Sequence, residues 1–473
     1  MSKIEVDAID KQSGSTLTLG GSGTAVTLAC GATQSGFGRT GTVNWVTTKK
    51  TTDFTAANGE GYFVDTAASG AVTMTLPASP SAGNIVGVKD YNGNFANANL
   101  TLGRNGSPIN GANSADVTIN TAGASIFLVY VDASQGWVAT QDDSSIFKGV
   151  SFISATGGSV TESGDFKIHT FTGPGSFAVS SIASCAPNNE VSYIVVAGGA
   201  GGQTKSTRAP SPNRRYGQPG GGAGGFRERK SGIDTYTASP LNGATPITVT
   251  AASFPITVGG GGSAPSIPST DETSASGSPS SFAASTTITS AGGGGAGYSS
   301  CSGPASGAGV AGGSGGGSST YNGVGAGNTP PTSPPQGNSG SQGNDSASTS
   351  GGAGGGATAA GGAVVAQPSP RQNIGGAGGA GATTNITGSP VAYAGGGGGG
   401  AGYPNDPGAG TITGGAGGAG GGGTGGSNSP SNGTAGTANT GGGGGGAGGD
   451  GSCGTCGGGA GGSGVVIIRY KFK

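Results

Sequence analysis

The sequence predicts an all-β protein with essentially no α-helix, ending in a glycine-rich bundle of extended left-handed helices. Three observations predict it. Short runs alternate apolar and polar residues and are bounded by Gly, Ser or Asn-Gly. Near the start of the chain, no stretch carries the i, i+3, i+4, i+7 spacing of an amphipathic helix. Glycine clusters then recur between two apolar strand-like runs that would pin both ends of the glycine region.

Residues 1–46 form the first segment. Ile4–Ile9, Thr16–Leu19 and Ala25–Leu28 read as short strands at turn-rich spacing. Residues 47–147 form a second, sandwich-like or small-barrel segment. Its expected strands are Gly61–Asp65, Ala71–Leu76, Asn84–Val88, Asp116–Ile119, Ser125–Val131 and Gly136–Thr140. Pro77, Pro80, Asn92-Gly93 and Asn105-Gly106 punctuate them, and Phe127 and Trp137 are expected in the core. In the third segment, 148–473, strands at Phe166–Phe171, Ser176–Val179 and Val191–Ala197 lead into the glycine region. Ile247–Val249 and Ile256–Val258 interrupt it, and Val465–Tyr470 closes it.

The glycine clusters include Gly220–Gly225, Gly292–Gly297, Gly351–Gly356, Gly375–Gly381, Gly395–Ala401, Gly414–Gly426, Gly441–Gly449 and Gly457–Gly462. A flexible linker is one reading of such text. Collagen is excluded, because no Gly-X-Y period carries Pro through the runs. The remaining reading is a bundle of helices with three residues per turn, packed at backbone distance and hydrogen-bonded sideways. That bundle is favoured. A linker needs neither so many similar clusters nor tyrosines and prolines gathered in the spacers between them.

Composition narrows the function classes. Gly (111) and Pro (25) make up (111 + 25)/473, about 29 % of the chain, while charged residues are 9 %. Lys+Arg (20) barely balances Asp+Glu (21), which argues against nucleic acid as a partner. One His, two Met and two Trp leave little for metal or acid–base chemistry, so no cofactor is expected. The longest apolar runs, such as Ile126–Val131, fall far short of the ~20 residues that span a bilayer, and no embedding in a membrane is expected. The polar start, Met1–Asp7, has no apolar secretory core, so synthesis and assembly in a cytoplasm are expected. Five cysteines (Cys30, Cys185, Cys301, Cys453, Cys456) make no disulfide framework.

Three stretches carry a resemblance. Gly36–Trp45 resembles the N-terminal signature of marine bacteriophage fibre proteins. Gly59–Thr66, Leu76–Gly83, Lys89-Asp90-Tyr91, Asn105-Gly106 and Gly136-Trp137 together look like a β-domain common in phage tail fibres. Ile168–Phe177 and Tyr193–Gly199, with the closing Ser463–Tyr470, resemble the glycine-rich phage adhesin domain. That resemblance implies a polyglycine-II sandwich whose distal loops contact a bacterial receptor, either polysaccharide or outer-membrane protein. It also implies a virion location, with residues 1–46 attached to other tail or capsid proteins. A homotrimer through residues 1–147 is expected, because short β-rich segments with small cores are marginal alone.

Candidate chemistry is sparse. Cys453-Gly454-Thr455-Cys456 has the spacing of a zinc half-site or redox pair, but lacks further ligands nearby, so a local disulfide or plain small residues is preferred. His169 lies in an expected strand and reads as a cross-strand polar residue. GxGxxG-like spacings neither open a helix nor precede Lys-Ser/Thr, which argues against phosphate binding. Asp271-Glu272 sit in a Ser/Pro-rich spacer and read as a solvated pair, so no enzymatic activity is expected. The candidate receptor-binding residues are Arg214, Arg215, Tyr216, Tyr298, Tyr321, Arg371, Tyr393 and Tyr403, because Tyr and Arg anchor binding surfaces with few rotors. Successive turns of a bundle should go to opposite ends, so only a subset should share the outward tip. A fibre that decorates the particle without a receptor is the alternative. An ice-binding protein is disfavoured by the irregular spacers.

Overall fold

A computed structural model describes residues 43–111, 115–140, 152–205, 216–266, 272–298, 307–319, 323–344, 350–366, 373–402, 412–427, 431–449 and 456–473. The chain divides into two compact units, residues 1–147 and 148–473. It is all-β, and one four-residue 3₁₀ turn (Ala186–Asn189) is the only helical element among the described residues. The strands expected in residues 1–42 lie outside them.

In the first unit the chain passes back and forth between two facing sheets. β1 (Asn44–Lys50) lies in the first, β2 (Phe54–Thr55) in the second, β3 (Glu60–Val64) in the first and β4 (Val72–Thr75) in the second. β5 (Ile85–Asp90) and β6 (Leu100–Gly103) repeat the pattern, so β1-β3-β5 and β2-β4-β6 are both parallel. β7 (Val117–Ile119) then closes the second sheet, and β8 (Ser125–Tyr130) and β9 (Trp137–Ala139) close the first, all antiparallel. One core lies between the sheets, built on Trp137, Phe95, Met74, Leu100 and Leu102. Phe127 corrects its expectation. Ile126 and Leu128 take the inward positions of β8, so strand alternation puts Phe127 on the outer face, against Trp45.

The second unit opens on two sheets. β10 (Ser154–Thr156) and β11 (Ser159–Ser163) are edge strands, followed by β12 (Phe166–Phe171), β13 (Gly175–Ser181) and β14 (Glu190–Val196). β15 (Phe226–Arg229), β16 (Ile247–Thr248), β17 (Ser253–Thr257), β18 (Ser280–Ala283) and β19 (Thr287–Ser290) follow. The short pairs β20 (Val365–Ala366), β21 (Asn373–Ile374), β22 (Ala382–Thr384), β23 (Val391–Tyr393) and β24 (Ile412–Thr413) lie inside the glycine region, and β25 (Val465–Lys471) closes the chain. One sheet runs β10-β13-β17-β18-β19 and the other β11-β12-β25-β14-β15. β14 and β25 pair antiparallel, Val196 opposite Val465, so the two ends of the glycine region are pinned together. Val191, Tyr193 and Val195 of β14 face the core between the sheets, while Ile194 and Val196 face a second core shared with the glycine region. Cover on both faces explains why β14 and β25 are continuous apolar runs.

The glycine segments are hydrogen-bonded helices with a period of three. In residues 220–225, the amides of Gly220 and Ala223 donate to Gly352 and Gly355, those of Gly221 and Gly224 to Gly444 and Gly441, and those of Gly222 and Gly225 to Gly294 and Ala291. The carbonyls of the same segment accept from residues 197–200, 314–317 and 397. Three directions per turn, in both donors and acceptors, are the signature of a three-residue helix among parallel and antiparallel neighbours. Glycine is required by the close approach: a Cβ on Gly397 would run into the Gly444 carbonyl, and one on Gly224 into that of Ala197. Backbone pairing thus takes the place of a side-chain core.

Candidate functional site

Chain direction fixes the two ends of this bundle. Residues 197–203 leave β14 and residues 217–225 return into β15; residues 258–264 leave β17 and 272–279 return into β18; residues 456–464 enter β25. A helix of eight residues at ~3.1 Å rise puts its far end roughly 25 Å from the sheets. That far end is one continuous layer. The Lys205 amide donates to the Cys456 carbonyl, Thr204 Oγ1 donates to the Pro265 carbonyl (2.7 Å) and accepts from the Gly458 amide (3.0 Å), and the Gly457 amide donates to Asn432 Oδ1. Across the middle, Gly449 donates to Ala401, and Asn373 Nδ2 to the Gly402 carbonyl at 3.0 Å. On the far side, Gly343 and Gly352 donate to Ser318, and Ser319 Oγ to the Tyr298 carbonyl.

The described residues that flank each gap of the bundle, from 205 and 216 to 449 and 456, belong to this layer. Returns at the sheet end are made by strands, by the proline-rich stretch 328–336, and by tight turns such as Gly420-Gly421 (φ 99° and 88°) and Asn439 to Gly441 (φ 62° and 73°). Of the three described candidate residues, two stand at this layer and one is an exception.

That exception is Tyr393. It lies in β23 at the sheet end, 5 % exposed, packed in the core that contains Ile194, Phe226 and Ile386. Burial pushes its phenol up to about 12. Tyr393 is a core residue. Tyr216 and Tyr298 are half-buried at the far layer. The Tyr216 carbonyl accepts from Gln218 Nε2 at 3.0 Å, and the Tyr298 ring lies against Gly307, whose amide donates to the Tyr298 carbonyl. Arg214, Arg215, Tyr321, Arg371 and Tyr403 lie outside the described residues, in stretches whose described flanks all belong to the far layer.

Sequence reasoning overlooked the buried polar residues that terminate the helices: Gln203, Thr204, Gln218, Ser318 and Asn373. Gln203 Nε2 donates to the Glu272 carbonyl at 2.8 Å, joining two spacers. The signal was present, since Gln203-Thr204 and Gln218 stand directly at the ends of glycine clusters.

Other candidates fall to structural roles. His169 is fully buried between Phe177 and Tyr470; its Nδ1 donates to the Gly157 carbonyl at 2.7 Å, and Nε2 faces the Tyr470 hydroxyl at 3.2 Å. Burial holds its pKa below the usual imidazole value. Cys456 is disulfide-bonded and so is no metal thiolate. Among the described residues, no group of three or more His, Cys, Asp or Glu is placed to hold a metal ion, and no helix is long and apolar enough to cross a membrane.

No curated protein matches the chain significantly. The model of the glycine-rich domain matches residues 170–471, from the end of β12 to the last residue of β25. The chain belongs to the glycine-rich domain family.

Proposed function

We propose that this chain is a virion protein, a bacteriophage tail fibre or fibre tip, that binds a host-surface receptor with the far layer of its glycine bundle. The observation that carries the reading is the one-ended construction. The two large sheets occupy one end of the second unit, and Tyr216 and Tyr298 stand at the other. The sequence puts Arg214, Arg215, Tyr216, Tyr298, Tyr321, Arg371 and Tyr403 in the spacers between glycine clusters, whereas the helices themselves are nearly free of charge. Contact area and hydrogen-bonding groups are thus gathered where a partner could meet several spacers at once. The resemblance of Gly36–Trp45 to phage fibre signatures supports attachment to the particle through the N-terminal segment, and a homotrimer through residues 1–147 belongs to the same proposal.

Competition tests it. Purified full chain, added in excess to host cells before infection, should block adsorption of the phage that carries it. Undiminished adsorption at saturating protein would overturn the receptor role and favour a fibre that only decorates the particle.

A further inference from the structure

The outer face of the first sheet in unit 1 carries a trough. Trp45 stands opposite Gly61, Gly61 opposite Gly87, and Gly87 opposite Phe127, so one cross-strand row holds two glycines between two aromatics. The rings lean over this floor until they meet edge to face, 5.9 Å between centroids. Val43 lies in the trough. Its Cγ2 would be 2.6 Å from a Cβ on Gly61 and 2.9 Å from one on Gly87. A residue continuing β1 in line would stand over β1 itself, since neighbouring strands are ~4.8 Å apart. Val43 instead covers β3 and β5, and is 9 % exposed. The chain therefore enters β1 by crossing the sheet's outer face.

The next row on that face is apolar. Ile85 stands opposite Val129, and Val129 opposite Val138, all three half-buried on the side away from the core. Forty-two residues precede Val43, which itself lies at the trough. In the stretch nearest to it, Gly36–Thr42, three glycines add little bulk and Phe37 is the sole aromatic. Six residues extend up to ~20 Å, more than the roughly 12 Å from Gly87 to the far end of the Ile85–Val138 row.

We propose that the chain preceding Val43 docks in cis on this outer face, along Ile85, Val129 and Val138, with Phe37 as its apolar anchor. Docking would make the N-terminal segment leave the unit from the face of the sheet and not from the open edge of β1. The apolar row gains cover by the same contact. The inference is independent of any receptor role.

Photocrosslinking of the full chain tests it. With p-benzoylphenylalanine at Phe37, irradiation should join that position to residues near Val129 or Val138 of the same molecule. An equimolar mixture with ¹⁵N-labelled chain identifies the donor strand, because cis products carry no mixed isotopes. Mixed-isotope products would overturn cis docking in favour of exchange between copies. Crosslinks elsewhere, or none, would overturn the site. A second readout is tryptic cleavage after Arg39, the single site between Lys11 and Lys49. It should be about tenfold slower in the parent than in a folded Val129→Lys/Val138→Lys double variant, because docking withholds the segment from protease. Equal rates would sink the proposal.

Discussion

Arg469, in the closing strand, holds Asp234 in a buried ion pair: Nε lies 3.1 and 3.0 Å from the two carboxylate oxygens, across 235 positions of sequence. The guanidinium is 4.5 Å from the Phe166 ring centroid, and Ser192 Oγ donates to the same carboxylate at 2.8 Å. Asp234 follows β15, the first strand reached after the bundle begins. The pair therefore ties the opening of the glycine region to its last strand. Asp234→Ala would strand a buried cation, at a cost of about 3–5 kcal/mol. Denaturant unfolding of the full chain checks this; a loss within about 1 kcal/mol, the range of exposed pairs, would deny the pair its structural role.

Glycine positions in the bundle should separate sharply by surroundings. A Cβ on Gly444 would overlap the Gly459 carbonyl, and one on Gly398 the Gly415 carbonyl. Exposed Gly260 has no atom within 4 Å of the same construction. Gly444→Val and Gly398→Val should abolish or severely weaken folding, because backbone cannot yield as a side-chain end can. Gly260→Val should fold like the parent. Equal thermal midpoints for Gly444→Val and Gly260→Val would contradict packing at backbone distance.

The same packing predicts slow amide exchange. Amides of residues 220–225 and 443–447 donate inside the bundle, so their protection should approach that of β14. Exchange within seconds throughout these segments would mean that the helices are not held. Hydrogen exchange with mass spectrometry reads both regions in one experiment.

His169 should make the second unit acid-sensitive. Burial is the main cause of its lowered pKa, with Lys167 adding to it against the Gly157 hydrogen bond. A depressed folded value means the unfolded chain takes up the proton first. Stability is then fully present above the unfolded value near 6.5 and falls as pH drops through the window below it. His169→Gln should flatten the profile in that window. An unchanged slope would place the acid sensitivity elsewhere.

Much of this was legible from residue order, and the misses have physical causes. β14 and β25 announced themselves because strands covered on both faces are unbroken apolar runs. β15, Phe226-Arg-Glu-Arg229, did not, because its inward Glu228 is satisfied by Tyr236 and Ser239 of the following loop and by Thr384, 156 positions away. Phe127 was placed in the core because the run Ile126–Val131 does not reveal which parity points inward. Tyr393 passed for a spacer residue because it borders Ala394-Gly395, and a period-three helix does not tell which end a turn will reach. The tight turns near Gly420 and Asn439 make that parity unreadable, since each reverses the chain with almost no spacer.

Binding should follow the ends of the bundle. The triple variant Arg214→Ala/Arg215→Ala/Tyr216→Ala alters one spacer of the sequence, whose described end, Tyr216, is half-buried at the far layer beside Gln218. Truncation of a true anchor costs about 1–3 kcal/mol of single-site affinity. Tyr393→Phe is the matched control, because Tyr393 is buried at the sheet end and its ring fills the core either way. Adsorption of full-length chain to host cells should therefore weaken in the triple variant and stay at parental strength in Tyr393→Phe. Under the proposed fibre role, several copies on one particle would mask part of the loss, so soluble protein is the material to measure. Tyr298→Ala reports differently, since its ring packs against Gly307: lost order of the neighbouring spacer in hydrogen exchange should accompany any loss of binding. If the triple variant and Tyr298→Ala both bind like the parent, these residues are not the contact surface, and the receptor role passes to other spacers or fails.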